Sequence, residues 1–571
     1  MHLAVLVTVY YFTLFYLLLI YQKVIIEVVF FRNTNGGRIM YKDNKIFIGK
    51  SGSEEIFIYP SMANRHGLIA GATGTGKTVT LKVMAESFSD AGVPVFLADV
   101  KGDLAGMSVA GEHNSNVDSR VEAMGLNEAG FDFRKYPTNY WDVYGEKGLP
   151  LRTTVSEMGP LLLGRILDLN DTQSDVLTVI FKIADDEGLL LIDIKDLKSM
   201  LQYVNEKRQE YSMSYGNLAP QSLAAITRAI VALESEGADK FFGEPALSIS
   251  DWLCTDCNGH GTIQVLDCQK LNLHPRMYST FLLWLMSELF EALPEAGDLE
   301  KPKMVFFFDE AHMLFDSASK ALLEKIEQVV KLIRSKGVGI YFITQSPADI
   351  PGGILSQLGN KVQHALRAYT PAEQKGVKAA AQSFRENPEF DTYKVLDELG
   401  TGEALVSVLD IKGIPTMVQR TTILPPQSKM GAIDDSTRDS VMKSSLLYSR
   451  YNDYFDRDSA FEFLERRKIS IEQTAAEEAA AKEEAKLAAA QEKELAKQQA
   501  ALEKEAAKKA ASQKKAVKSA VKSVASTTTG TIGRQIGKSV GSSIGGTFGK
   551  TLGGNIGASL GRGIIGTLFG R

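Results

Sequence analysis

Cysteine is scarce in this chain, with three among 571 residues. A small, odd count leaves no disulfide framework and fits a reducing compartment, so the sequence reads as cytoplasmic. Charge of one sign is missing as well. Lys and Arg number 64 against 69 Asp and Glu, for a net charge of −5. That balance gives no global electrostatic case for nucleic acid, and any basic surface must be local. Long hydrophobic runs are also lacking, with one exception. Leu3 to Tyr21 is nineteen residues without a charge, close to the ~18 apolar residues that can span a bilayer. No basic stretch precedes it and no small-residue cleavage site follows, which speaks against a secretory signal. Residues 1–39 therefore read either as a membrane anchor, with bilayer contact through 1–24, or as an artefactual extension before a natural start at Met40.

What is present suffices for a sizeable core and more than one folded unit. Short apolar runs around "GKSGSEE" predict a hairpin over 40–60. "HGLIAGATGTGKTVTLKVMAESF" reads as strand, glycine-rich loop and helix, and "VPVFLADVKGD" as a buried strand. "GTIQVLDC", "KMVFFFDEA", "GVGIYFITQ", "NKVQHALRA" and "GEALVSVLD" supply later strands. Strands alternating with helices predict an α/β core with a mostly parallel sheet over 61–149 and 246–425. Helical periodicity places a helical insertion at 150–245 and further helices at 426–470. Residues 471–525 are dominated by Ala, Glu, Lys and Gln, helix formers without a sustained apolar stripe.

The stretch 526–571 carries an internal repeat. Gly recurs at 533, 537, 541, 545, 549, 553, 557 and 561, each preceded by Ile, Val, Phe or Leu. Small residues at this spacing permit close helix packing, as in membranes. So much glycine in water instead predicts disorder until a partner or bilayer is met. Residues 501–571 hold twelve Lys or Arg against two Glu, hence +10, which suits nucleic acid or anionic lipid.

Chemistry concentrates at two motifs. Gly71, Ala72, Thr73, Gly74, Thr75, Gly76, Lys77 and Thr78 satisfy G-x-x-x-x-G-K-[ST] between a strand and a helix, with Val79 in the first turn. Such a loop turns its N–H groups toward the phosphates of ATP. Lys77 meets the β- and γ-phosphates, and Thr78 offers a hydroxyl to Mg²⁺. The second motif is "MVFFFDEAH". Asp309 stands at the end of an apolar strand, where it can hold Mg²⁺, and Glu310 can polarise water for attack on the γ-phosphate. His312 completes the letters DEAH, the label of a helicase class with two tandem lobes and an arginine-rich motif. This chain has one phosphate loop and no such arginine motif. Gln345 ends another strand beside the phosphates and can orient water. Arg334, at the exit of the intervening helix, is placed to reach a neighbouring subunit as an arginine finger.

"HGLIAGATGTGKT", "FLADVKGDLAG", "GPLLLGRILDLNDTQ", "FFFDEAHMLF" and "GVGIYFITQSPADIP" resemble the HerA/FtsK superfamily of P-loop motors, most closely its YjgR-like bacterial branch. The resemblance covers about Ile46 to Gly431. It implies a RecA-like fold, ATP hydrolysis, a homo-hexameric ring and translocation along double-stranded DNA. It also assigns Asp99 and Asp103 of "ADVKGD" to an acidic position near the nucleotide, and leaves Arg367 and Arg420 as weaker candidates for a second phosphate contact. There is no room for the N-terminal barrel of HerA itself. Lys77 and Asp309 lie 232 positions apart, more than one such core needs, which agrees with an insertion. Cys254, Cys257, His260 and Cys268 could ligate zinc in principle, but unpaired knuckles read better as a loop with incidental thiols. Two other readings stay open. One is an ATP-dependent assembly or membrane-associated protein that translocates no DNA, and the other a nucleotide-switched scaffold.

Overall fold

The computed structural model describes residues 39–316, 320–368 and 370–521. The hydrophobic start and the glycine repeat both lie outside these residues. Among the described residues thirteen strands form one sheet: β1 Tyr41–Lys42, β2 Lys45–Ser51, β3 Glu54–Ile58, β4 Gly67–Ala70, β5 Val95–Asp99, β6 Thr138–Asp142, β7 Leu149–Pro150, β8 Ile263–Asp267, β9 Met304–Phe308, β10 Val338–Thr344, β11 Asn360–Gln363, β12 Glu403–Ser407 and β13 Gln419–Ile423. Their order is β1-β2-β13-β12-β11-β4-β10-β9-β5-β8-β6-β7, with β3 on β2. From β11 to β7 every pairing is parallel. β12, β13 and β2 extend the sheet antiparallel.

The central strands β4, β5, β8, β9 and β10 are buried at every position and mostly apolar, because both faces are covered. In β9, Phe306 and Phe308 enter one core with Phe96, Phe342 and Trp141. Val305 and Phe307 enter the other with Leu97, Tyr341 and Ile343. The helix Lys77–Asp90 contributes Leu81, Met84 and Phe88 to that second core.

Residues 155–241 are helical. Capping boxes start three of these helices, at Thr154, Asn170 and Asp193, each receiving an N–H from the residue three positions on. Val176, Leu177, Ile180, Phe181, Ile183 and Ala184 are the buried residues of Asp171–Asp186 and join the first core. The insertion thus shares its core with the sheet. The chain divides into two compact units, up to Lys468 and from Ile469 on. A helix, Ala460–Val521, runs into the second, and residues 465–513 are exposed throughout. Among the described residues no helix is long and apolar enough to cross a membrane.

Candidate nucleotide site

β10 lies between β4 and β9, so the loops leaving all three open on one edge of the sheet, the edge where open α/β sheets take ligands. The loop after β4 turns through left-handed backbone at Gly74 (φ 77°) and Gly76 (φ 115°), which only glycine adopts readily. The loop is anchored at its start, where Gly71 N–H donates to the Thr344 carbonyl (3.2 Å) and Ala72 N–H to that of Ala365 (2.9 Å). Lys77 folds back into it and donates to the carbonyls of Gly71 (2.7 Å) and Ala72 (3.1 Å). Thr75 caps the same turn through Ala72 (2.7 Å). Thr73 and Gly74 are exposed, while Thr78 and Val79 are half-buried in the first helical turn.

Beyond β9, Asp309 and Glu310 are both buried. Burial, and then the Glu310 charge, raises the Asp309 carboxyl to about 6. Burial acts on Glu310 in the same direction, but the Lys101 ammonium, 2.5 Å from Oε1, outweighs it and holds the acid below its usual range. Glu310 takes a left-handed φ of 48°, and its Oε2 lies 3.3 Å from His312 Nδ1. Lys77 belongs to the same electrostatic cluster. Burial lowers its pKa, and Glu310 and Asp309 oppose that shift.

Gln345 is exposed and lines a cleft of about 530 Å³ with Ala72, Thr73, His312 and Arg367. Arg367 donates to the carbonyls of Asp397 and Leu399. Arg420 pairs with Glu403 at 2.8 Å. Asp99 is committed to its own loop, accepting the N–H groups of Gly102 (2.7 Å) and Leu104 (3.0 Å). Burial and Asp103 raise its pKa to about 7. Asp103 Oδ1 is buried without a hydrogen-bond partner. Arg334 precedes β10, whereas Gln345 follows it. The structure therefore puts Arg334 at the opposite edge of the sheet from this phosphate loop, among Arg65 and Asp298. Cys254 contacts the Asp251 carbonyl and the Thr262 hydroxyl at 3.3 Å, Cys257 is exposed and Cys268 is buried.

Three supports have no counterpart in the sequence reading. Lys101 holds Glu310. His364 is fully buried under the loop, bonded to Thr80 and to the Glu403 carbonyl. Gly402 N–H donates to the Thr75 carbonyl at 2.9 Å, and Arg120 clamps this turn through the carbonyls of Thr401 and Gly402. Lys101 stands inside "ADVKGD", so attention to cations as well as carboxylates would have found it. Nothing local marks His364 or Gly402.

This arrangement suits a nucleotide with a divalent cation. Asp309 is a buried acid whose ionisation an adjacent cation would favour. Glu310 Oε2 is buried without a hydrogen-bond donor. Thr78 and Asp309 would hold Mg²⁺, which supplies charge neutralisation for the phosphates.

The profile of the helicase HerA-like C-terminal family matches residues 44–551. Among curated proteins, the DNA double-strand break repair helicase HerA of Sulfurisphaera tokodaii is 22% identical over 390 residues, 66% of this chain and 70% of that one. Among solved structures, the bacterial conjugative coupling protein TrwB is 13% identical with a TM-score of 0.44, over 69% of this chain and 97% of that one. TrwB has also been solved with ADP and Mg²⁺. VirB4 of Thermoanaerobacter pseudethanolicus is 17% identical with a TM-score of 0.42, over 67% of this chain and 97% of that one.

Proposed function

The chain belongs to the helicase HerA-like C-terminal family, and on that premise we propose that it is a Mg²⁺-dependent motor that assembles as a homo-hexamer and moves along double-stranded DNA. It is a P-loop ATPase with a RecA-like core. One observation carries the catalytic reading. Lys77 and the pair Asp309–Glu310, far apart in sequence, follow the parallel strands β4 and β9 on either side of β10 and so stand at one sheet edge. In the proposed reaction the N–H groups of the loop and Lys77 hold the phosphates. Glu310 accepts a proton from the attacking water and Gln345 orients that water. Arg334, at the other edge, could act only on the nucleotide of a neighbouring subunit.

The test is ATP turnover with and without duplex DNA. Turnover that duplex DNA stimulates, and that Lys77→Ala abolishes, supports the motor. Turnover indifferent to DNA at every salt concentration removes the DNA part and leaves an ATPase with another client.

A further inference from the structure

Glu310 is already engaged in this structure. Its Oε1 meets the Lys101 ammonium at 2.5 Å, and the two partners are unequally placed, with side chains 8% and 47% exposed. The carboxylate is fixed by its surroundings and by its left-handed backbone, while the ammonium can be reached from solvent. The Lys101 backbone is pinned as well. Asp99 accepts the following N–H groups of Gly102 and Leu104. Gln269 Nε2 donates to the Lys101 carbonyl at 2.7 Å. What remains free to move is the Lys101 side chain, a flexible four-carbon stem.

Glu310 Oε2 is buried, which leaves Oε1 as the oxygen open to a water, and an ammonium there occupies its lone pairs, so the ion pair and proton transfer compete for one oxygen. We propose that Lys101 restrains Glu310, and that turnover requires a phosphate oxyanion to draw the ammonium away. This rests on the reading of Glu310 as the base. The phosphate has two candidate sources. One is the nucleotide in the adjoining loop. The other is a nucleic-acid backbone on the exposed edge, where Lys147 donates to Gln269 Oε1 at 2.7 Å and Lys270 follows in sequence.

The experiment is steady-state ATP turnover by the full chain, with and without duplex DNA. The proteins compared are wild type, Lys101→Met, Lys101→Arg, Glu310→Gln and the double variant Lys101→Met/Glu310→Gln. Without DNA, Lys101→Met should raise kcat by about fivefold or more, on the scale of one charge-assisted hydrogen bond, with KM for ATP within about twofold. Lys101→Arg, which keeps a cation for Oε1, should gain less than Lys101→Met, and an equal gain in the two variants overturns the restraint. In the Glu310→Gln background the gain should vanish, because the two residues act on one step. A gain in kcat accompanied by loss of DNA stimulation in Lys101→Met identifies nucleic acid as the releasing phosphate, and a gain with unchanged stimulation identifies the nucleotide, whose phosphates then draw the ammonium away only in part. A Lys101→Met protein that binds a labelled ATP analogue normally but turns over no faster than wild type overturns the restraint. Glu310→Gln turning over like wild type overturns the assignment of the base, and the restraint with it.

Discussion

His364 donates from Nδ1 to the Glu403 carbonyl at 2.8 Å and accepts the Thr80 hydroxyl on Nε2 at 2.8 Å. The carbonyl can only accept, which fixes the tautomer. Burial lowers the imidazole to about 4, so it is neutral at pH 7 and can play both parts. The first turns of the phosphate-loop helix and the entrance to β12 thus meet on one ring. His364→Ala leaves two buried partners unsatisfied, at about 1–3 kcal/mol each. Nucleotide affinity should fall roughly 5- to 50-fold on that scale, with a smaller effect on kcat. Titration with a fluorescent ATP analogue checks this, and an affinity within twofold of wild type would refute the brace.

Removing the base without removing its shape isolates chemistry from binding. Glu310→Gln should retain nucleotide and lose ~10²–10⁴ in turnover, the usual contribution of a general base. Lys77→Ala should lose binding itself. Equilibrium binding and single-turnover hydrolysis on the same samples separate the two effects. Near-normal hydrolysis by Glu310→Gln would assign the water to another group.

Two glycines of one loop should respond differently to alanine. At Gly74 a Cβ meets nothing within 4 Å, so only the positive φ resists it, at about 1–2 kcal/mol. At Gly76 the Cβ would stand 3.1 Å from the Gly402 backbone, in addition to a φ of 115°. Gly76→Ala must therefore push away the turn that Thr75 and Arg120 hold. Its melting temperature should fall further than that of Gly74→Ala. Equal shifts in the two variants would mean that the 402 turn yields freely.

Local signals made part of this structure legible. The glycine-rich loop could be read because its spacing is set by backbone geometry over eight residues. β9 and β10 could be read because strands covered on both faces are mostly apolar, β9 throughout and β10 up to Thr344. β6 was missed, since "TNYWD" is no apolar run. Asn139 and Trp141 gain their place through the Gln264 side chain on β8, at 3.2 and 2.8 Å. The same limit hid the partnership of Lys101 with Glu310, because long-range pairs leave no periodicity. Arg334 could be placed at a helix exit, but which edge of the sheet that exit faces depends on strand direction.

His66 offers a test in pH. It is fully buried, with Nε2 donating to the Val330 carbonyl (2.8 Å) and Nδ1 accepting from Ile340 N–H (3.0 Å). Burial lowers it to about 4 from 6.5. Between those values the unfolded chain binds the extra proton, so the stability His66 contributes is present above pH 6.5 and is lost as pH falls toward 4. The loss reaches roughly 3 kcal/mol. Asp99 and Asp309, raised to about 7 and about 6, act with the opposite sign as pH falls. A single curve is therefore uninformative, and the difference between wild type and His66→Gln carries the test. The variant should be less stable at pH 7, and the gap should narrow toward pH 4.5 in denaturant melts. A gap constant across that range would place the proton elsewhere.

The C-terminal stretch can be tested by truncation. From Ile471 to Gln513 every residue of the long helix is exposed, so its removal uncovers no core within its own unit. Beyond it, glycine at every fourth position advances 400° per step on an ideal helix, so the glycine stripe drifts about 40° at each repeat. The seven steps between the eight glycines would carry the stripe about 280° round such a helix, which excludes one flat seam along a straight partner. The +10 charge of 501–571 is a better guide to its use, because lysines spread along a chain attract phosphates with little demand on shape. Truncation after Ser470 should leave basal ATP turnover within about twofold, since no group assigned to the nucleotide site lies beyond it. Binding to duplex DNA or to anionic vesicles should weaken, and the slope of log affinity against log salt should become shallower, as loss of phosphate contacts requires. Parallel titrations against DNA and against vesicles decide which polyanion the segment serves. If the truncated chain binds both as tightly and with the same salt slope, the charge of this segment has no part in binding.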